Sequence, residues 1–450
     1  MRAQASEQAL SGFQACRIRA SITVFLSLTL LLILTLVGAL CESAAIQTGK
    51  SRAKARTSLA LESVFAEYDT DLLEQYHIFA YDAGRTGQSA EKGVCDRIRY
   101  YGGEPEISVD RIQVLTDHQA QMIYEQALLY MQRKEKPLEQ VISEHQADVY
   151  LWQQTVGEQI LGAVRKETFS GLEEIMTVFR LPMAQAVMPR GRVLSGGTID
   201  IANGVSHRDL YTGRGTFVSN GGGGLAGDMV FDQYLTEVCD NAAVESDRLP
   251  AYEAEYLIAG KDSDKKNLDE VATRILAMRM AVNTAYLKHD NVKQAEMQTI
   301  AAFLSLAVGG VVAEPVIEEA LTHAWAYAES MAEIRALLSG KRIAERKTAQ
   351  SWKVGAAGIL SLHRSIDEKW ETDDQEGGLS YEDYLRILLT VVPRGKKSLR
   401  LADLIEINVS KARGGKTFLA DRAVCRLCVQ SVCHLERGIV FRYKNIFVYR

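Results

Sequence analysis

Residues 21–40 read SITVFLSLTLLLILTLVGAL, an apolar run with no charge and no proline. At about 1.5 Å of rise per residue, a helix of this length spans roughly 30 Å, the hydrocarbon thickness of a bilayer. No other stretch of the 450-residue chain matches it. The run divides the chain into a short leading segment, residues 1–20, and a body that follows it.

Two readings of the run stand side by side. A cleaved signal has an apolar core of about 7–15 residues and small residues at the cut. Ser43, Ala44 and Ala45 supply small residues, but the run is longer than such a core and follows a polar, arginine-bearing lead. Leu40, directly before Cys41, is too bulky for lipoprotein-type processing. An uncleaved anchor is the expected form, with the lipid bilayer as its first partner. Arg17 and Arg19 precede the span, while Lys50, Arg52, Lys54 and Arg56 follow it. Counted alone, those cations place the C-terminal side in the cytoplasm.

The totals exclude little else. Lys and Arg number 52 against 57 Asp and Glu, a net charge of -5. That balance leaves no electrostatic footprint for nucleic acid, and no nucleic-acid partner is expected. Seven cysteines cannot all pair with one another, so most are expected as free thiols. Only 7 prolines favour long helices.

From residue 42 to about 74 the pattern is helical, with Leu59, Leu61, Val64, Phe65, Tyr68, Leu72 and Leu73 near helical spacing. Residues 41–76 therefore read as a stem that continues the membrane helix. Residues 77–81 read as a strand, 83–104 as a loop, and 107–115, which alternate apolar and polar, as a second strand. Asp117 reads as the N-cap of a helix to about 134, and another helix is expected over 138–179. Glycines at 196, 197, 213, 215 and 221–224 mark residues 190–227 as a flexible insert. Helical periodicity returns over 231–338, broken near Gly260 and Gly309. Residues 340–378 are irregular, and helices follow over 381–392 and 397–411. Residues 423–450 read as β structure, with a hairpin turning at Lys444 and Asn445. The expected fold is α+β and predominantly helical. One transmembrane helix runs into a stem, and one extracytoplasmic domain, residues 77–450, carries a small antiparallel sheet. In that sheet the C-terminal hairpin joins the strands near 77–82 and 107–115.

No motif announces chemistry. Cys425, Cys428, Cys433 and His434 offer four soft ligands within ten residues. Zinc is usually held by two separated ligand pairs, and thiols along one strand do not converge, so buried side chains are the expected role. Gly414-Gly415-Lys416-Thr417 resembles the end of a phosphate-binding loop, but Ser410 stands where that loop needs a glycine. A helix C-terminal turn is the plainer reading. The run at 221–224 reads as linker rather than anion cradle. The eight histidines form no His-Glu-x-x-His pattern, and the acid pairs Glu173-Glu174 and Glu318-Glu319 read as solvated helix faces. No catalytic residue, cofactor or metal is expected. Within and just after the span, Thr35, Gly38, Ala39 and Glu42 are the candidate sites for packing against a partner helix in lipid.

Three stretches carry a resemblance: SITVFLSLTLLLILTLVGALCESA at 21–44, LALESVFAEYDTDLLEQYHIFAYD at 59–82, and LSYEDYLRILLTVVPRGKKSLRLADLIEINV at 379–409. Together they resemble a family of membrane-anchored proteins of Gram-positive bacteria catalogued as a domain of unknown function. Its anchor and stem are similar to the TadE/TadG minor pilin-like proteins of the tight-adherence pilus. The resemblance implies a cytoplasmic N-terminus, one span and a large domain outside the membrane, and it implies no catalytic residues. A pilin-type leader places a glutamate five residues after its glycine, whereas Arg17 holds the matching position after Gly12. The expected function is structural, as an accessory or minor component of a surface appendage or secretion-type assembly whose partners are other membrane-anchored helices. A membrane-anchored sensor or binding module is the alternative, and a cell-envelope enzyme is a third reading.

Overall fold

The computed structural model describes residues 4–86, 89–103, 106–134, 183–189, 191–218, 224–307, 313–355, 372–435 and 438–449. The expected helix over 138–179, Glu173-Glu174, His145, His363 and the glycines at 221–223 lie outside them. In chain order the elements are α1 (Gln4–Phe65), α2 (Thr70–Tyr76), β1 (Tyr81–Asp82), α3 (Ala90–Gly102), β2 (Glu106–Val114) and α4 (Asp117–Lys134). The helices α5 (Met183–Val187), α6 (Gly224–Val238), α7 (Glu253–Ala259), α8 (Asp264–His289), α9 (Asn291–Ala307) and α10 (Glu314–Leu338) follow. Last come α11 (Tyr381–Thr390), α12 (Arg394–Ala412), β3 (Ala423–His434) and β4 (Val440–Val448). The sheet runs β1-β3-β2, with β4 also paired to β3. The expected fold class is the observed one: mostly helical α+β, with a small antiparallel sheet that includes the C-terminal strands.

The chain forms two compact units. The first comprises Met1–Glu67, Glu91–Arg111 and Leu427–Phe447. Its spine is α1, whose apolar window has a mean hydropathy of 2.7 and none of its side chains buried. Further along, Thr57, Ala60, Leu61, Val64 and Phe65 are buried, a 3–4-residue repeat that lays one helix stripe into a core. Phe65 stacks on Phe447 at 4.1 Å between ring centroids. Tyr443 shares a 2.8 Å hydrogen bond with the Thr57 hydroxyl and donates to the Ala53 carbonyl at 3.0 Å. On α3, Arg97 grips both oxygens of Glu67.

The second unit comprises Tyr68–Ala90, Ile112–Arg426 and Val448–Arg450. Here α8 packs on α10, α7 and α5, α9 on α10, α12 on α4, and α6 on both α4 and α11. Trp325, Tyr124, Phe231, Tyr234, Tyr256 and Tyr384 fill the core at under 2% exposure each. Helix ends follow local chemistry. Ser380 and Asp383 form a reciprocal capping box at the start of α11. After α12, Gly414 and Gly415 take positive φ and return N–H groups to the Lys411 and Ser410 carbonyls, so the Gly-Gly-Lys-Thr run is a helix-terminating turn.

Several sequence expectations shift. The stem does not run unbroken to residue 76: α1 stops at Phe65, and Asp69 caps a separate helix by accepting from the Leu72 N–H. His77 terminates that helix in the left-handed region, which reduces the expected strand at 77–81 to Tyr81–Asp82. The expected loop at 83–104 contains α3, whose buried Ala90, Val94 and Ile98 repeat at four residues; Gly93 interrupts that pattern in the sequence. Asp117 opens α4 without capping it. Its carboxylate accepts from the Val114 and Gly213 N–H groups, and His118, Gln119 and Ala120 take φ of 53°, 59° and 59° before the right-handed helix begins. The C-terminal hairpin does not turn at Lys444-Asn445, which lie inside β4: Leu435, just after β3, donates to the Ile439 carbonyl, and Gly438 has φ of 77°. A tight hairpin turn needs positive φ, and Gly438 supplies it more readily than Lys444 or Asn445.

Residues 190–227, expected as a flexible insert, are anchored at several points to buried carboxylates. Asp264 accepts from the Ser195 hydroxyl at 2.5 Å, Asp403 from the Ser206 hydroxyl at 2.6 Å, and Asp117 from the Gly213 N–H at 2.9 Å. The glycines permit that approach. A Cβ on Gly197 would lie 2.3 Å from an Asp264 oxygen, and one on Gly213 2.2 Å from the Ile112 carbonyl oxygen.

Candidate functional site

Thr35, Gly38, Ala39 and Glu42 fall at spacings of three, one and three residues on α1, hence on one helix face. All four are exposed. The Thr35 hydroxyl donates to the Leu32 carbonyl at 2.8 Å, as Ser27 and Thr29 donate to Val24 and Leu26, so these hydroxyls are already satisfied along their own helix. A Cβ added to Gly38 meets nothing within 4 Å. The face is thus open and smooth enough for close helix approach, with Glu42 just past its end.

The cysteine cluster lies along β3. Alternation along a strand sends Cys425 and Cys433 to one side and Cys428 and His434 to the other. Cys425 is fully buried, its thiol 3.8 Å from the Phe79 carbonyl, and burial holds it far above the ordinary thiol range. Cys428 is fully buried too, with its thiol 3.6 Å from Asp110. Among the described residues no group of three or more His, Cys, Asp or Glu is placed to hold a metal ion. Cys41, Cys95, Cys239, Cys425, Cys428 and Cys433 are all free thiols. Of the paired acids, Glu319 is exposed and Glu318 half-buried.

The second unit contains buried charge that the sequence did not mark. Arg279 and Glu333, at 2% and 1% exposure, meet through two hydrogen bonds of 2.9 and 2.8 Å. Lys347 reaches Glu333 at 2.7 Å and Glu329 at 2.6 Å, and Asn283 donates to Glu333 at 2.9 Å. Burial alone would raise the Glu333 pKa, but Arg279 and Lys347 outweigh it and hold it at about 2. Glu329 also accepts from the Lys353 and Val354 N–H groups, tying the segment after α10 back onto it. Glu255 differs. Its Oε1 accepts from the Ala242 N–H at 2.9 Å and the Tyr381 hydroxyl at 2.7 Å, while Oε2 has no hydrogen-bond partner. Burial pushes its pKa to about 7, and nearby Asp264 adds to the rise. These groups are consumed in joining helices and loops. Apart from Glu255 Oε2, the oxygens of Glu255, Glu329 and Glu333 accept from protein donors.

In the first unit, an open groove of about 480 Å³ lies along α1, lined by Arg52, Arg56, Glu106, Cys433, His434 and Tyr443 among others. Arg52 and Arg56, one helical turn apart, share a face. The Nζ atoms of Lys50 and Lys54 instead lie 5.4 and 5.8 Å from the centre of the Phe441 ring. The imidazole of His434 is 3.9 Å from the Glu106 carboxylate. Sequence reading counted these cations for topology only. Their gathering with β2, β3 and β4 depends on pairings between positions hundreds of residues apart.

A family model described as a family of unknown function, DUF5702, matches residues 163–435, more than half of the chain. The chain belongs to that family. No curated protein and no solved structure matches it. The DUF5702 match takes in α5 to β3 and lies wholly beyond α1. Membership agrees with the expected kinship to a domain of unknown function, and the family description names no activity, ligand or assembly.

Proposed function

We propose that this protein is a non-enzymatic, single-pass membrane-anchored component of a pilus-like or secretion-type surface assembly, similar in its anchor and stem to TadE/TadG proteins. Residues 21–40 hold it in the bilayer, and the large domain lies outside the cytoplasm. The observation that carries this reading is α1 itself. One continuous helix has a fully exposed apolar window at one end and a stripe buried in a folded unit at the other. Such a helix transmits position from a membrane to a domain. The open face of Thr35, Gly38, Ala39 and Glu42 offers partner helices a place to pack.

The cations after the span, read literally, favour the opposite orientation. In the folded protein Lys50 and Lys54 cover Phe441, and Arg52 and Arg56 line a groove, so all four have a role in the folded unit that a topology count ignores. The same groove favours a second reading, a membrane-anchored binding module or sensor.

Topology is the deciding experiment. Cys95 is partly exposed and Val193 is 91% exposed, whereas Cys239 is buried and unreactive in the folded chain. A membrane-impermeant thiol reagent applied to intact cells should label Cys95 and a Val193→Cys variant. Protection of both in intact cells, with labelling after permeabilisation of the folded protein, would place the domain in the cytoplasm and end the surface-assembly reading.

A further inference from the structure

We infer that the groove along α1 is a binding site for a phosphate-bearing solute or polymer that approaches from water. Its volume of about 480 Å³ lies within the usual range of small-molecule sites, and its described lining holds two guanidinium groups and one carboxylate, that of Glu106. Arg52 and Arg56 have no ion-pair partner among the described residues, in a chain that pairs Arg97, Arg208, Arg248, Arg279 and Arg426 with carboxylates. Their Cβ atoms are about 5–6 Å apart on one helix face, so both planar forks can reach one phosphate or two linked ones. The Tyr443 hydroxyl is committed to Thr57 and Ala53, which fixes the groove floor against α1. Glu106, 74% exposed and close to His434, also lines the groove.

Phosphate in a lipid headgroup is the other source of this chemistry, and height along the helix argues against it. Arg52 and Arg56 lie 12 and 16 residues beyond Leu40 in the same unbroken helix. At about 1.5 Å per residue that is ~18 and ~24 Å past the apolar run, and a tilt of ~20° shortens it by only about an ångström. The headgroup layer is about 5–8 Å deep on each side. This exclusion of headgroups rests on the reading of residues 21–40 as a span, whereas the anion site itself does not.

The test is calorimetric titration of the full chain in neutral-lipid nanodiscs with inorganic pyrophosphate at low salt. Saturable binding is expected, weakened about tenfold or more by the double change Arg52→Gln/Arg56→Gln. Lys50→Gln/Lys54→Gln, on the neighbouring stripe, should leave it nearly unchanged. Glu106→Gln should tighten it, a gain that misfolding cannot produce. Absence of saturable binding in the millimolar range, or wild-type affinity in the double arginine variant, overturns the site. Nanodiscs containing anionic lipid separate the two sources. Unaltered pyrophosphate affinity supports a water-borne ligand, and competition that depends on Arg52 and Arg56 overturns that assignment in favour of headgroups. A chain that fails to enter nanodiscs refutes the anchor reading, and the same titration in detergent-free solution still tests the groove.

Discussion

Glu255→Gln isolates a single buried proton. In the native chain Glu255 is fully buried, has donors on only one oxygen, and titrates at about 7 rather than at its ordinary 4.5. The folded state therefore holds a proton that the unfolded chain releases. The sign follows from linkage: the contribution of Glu255 to stability is fully present below pH 4.5, falls as pH rises, and is lost above pH 7. At 1.36 kcal/mol per pKa unit, the swing is about 3 kcal/mol. Glutamine preserves the shape, keeps an acceptor for Ala242 and Tyr381, and carries no charge at any pH. The melting temperature of wild type relative to Glu255→Gln should therefore be highest at pH 4.5 and drop as pH rises to 8, by about 4–5 °C for a unit of this size. Thermal melts of the full-length protein, followed by tryptophan fluorescence across that range, read the difference directly. A melting difference independent of pH would refute the argument, because it would mean that folding leaves the Glu255 pKa at its ordinary 4.5.

Other outcomes follow from particular contacts. Glu333→Gln leaves Arg279 and Lys347 buried beside a neutral group, and a loss of about 3–5 kcal/mol is expected by denaturant unfolding. Gly213→Ala drives a Cβ to 2.2 Å from the Ile112 carbonyl oxygen and 2.4 Å from an Asp117 oxygen. It should cost about 1–3 kcal/mol and speed amide exchange at Ile112 and Arg214, which pair through two 2.9 Å hydrogen bonds. Deleting residues 21–40 should move the protein from the membrane pellet to the carbonate-soluble fraction, with the tryptophan-monitored melt within about 2 °C of the parent, since none of that window is buried; continued sedimentation with membranes would count against the anchor.

Much of the helical plan was legible because its signals are local. The apolar run at 21–40, the helical patterns over 381–392 and 397–411 and the alternation of 107–115 each depend on neighbours within a few residues. The errors share a cause. The insert at 190–227 looked flexible because glycine is permissive in isolation; only the fold shows that Gly197 and Gly213 make room for Asp264 and Asp117. The helix α3 was hidden by Gly93 and by charge, since its apolar face is short. The hairpin was misplaced by a few residues because nothing local ranked Gly438 above Lys444-Asn445.

By itself the sequence determined most of the helices and the bilayer-length apolar run, because these patterns are written in consecutive residues. Tertiary structure alone decided which charges are buried and which stay available. Arg279 and Glu333 are separated by 54 positions, and Tyr443 and Thr57 by 386, so no spacing in the sequence announces their meeting. Arg52 and Arg56 are chemically the same as the arginines buried in ion pairs. They line an open groove and have no ion-pair partner among the described residues.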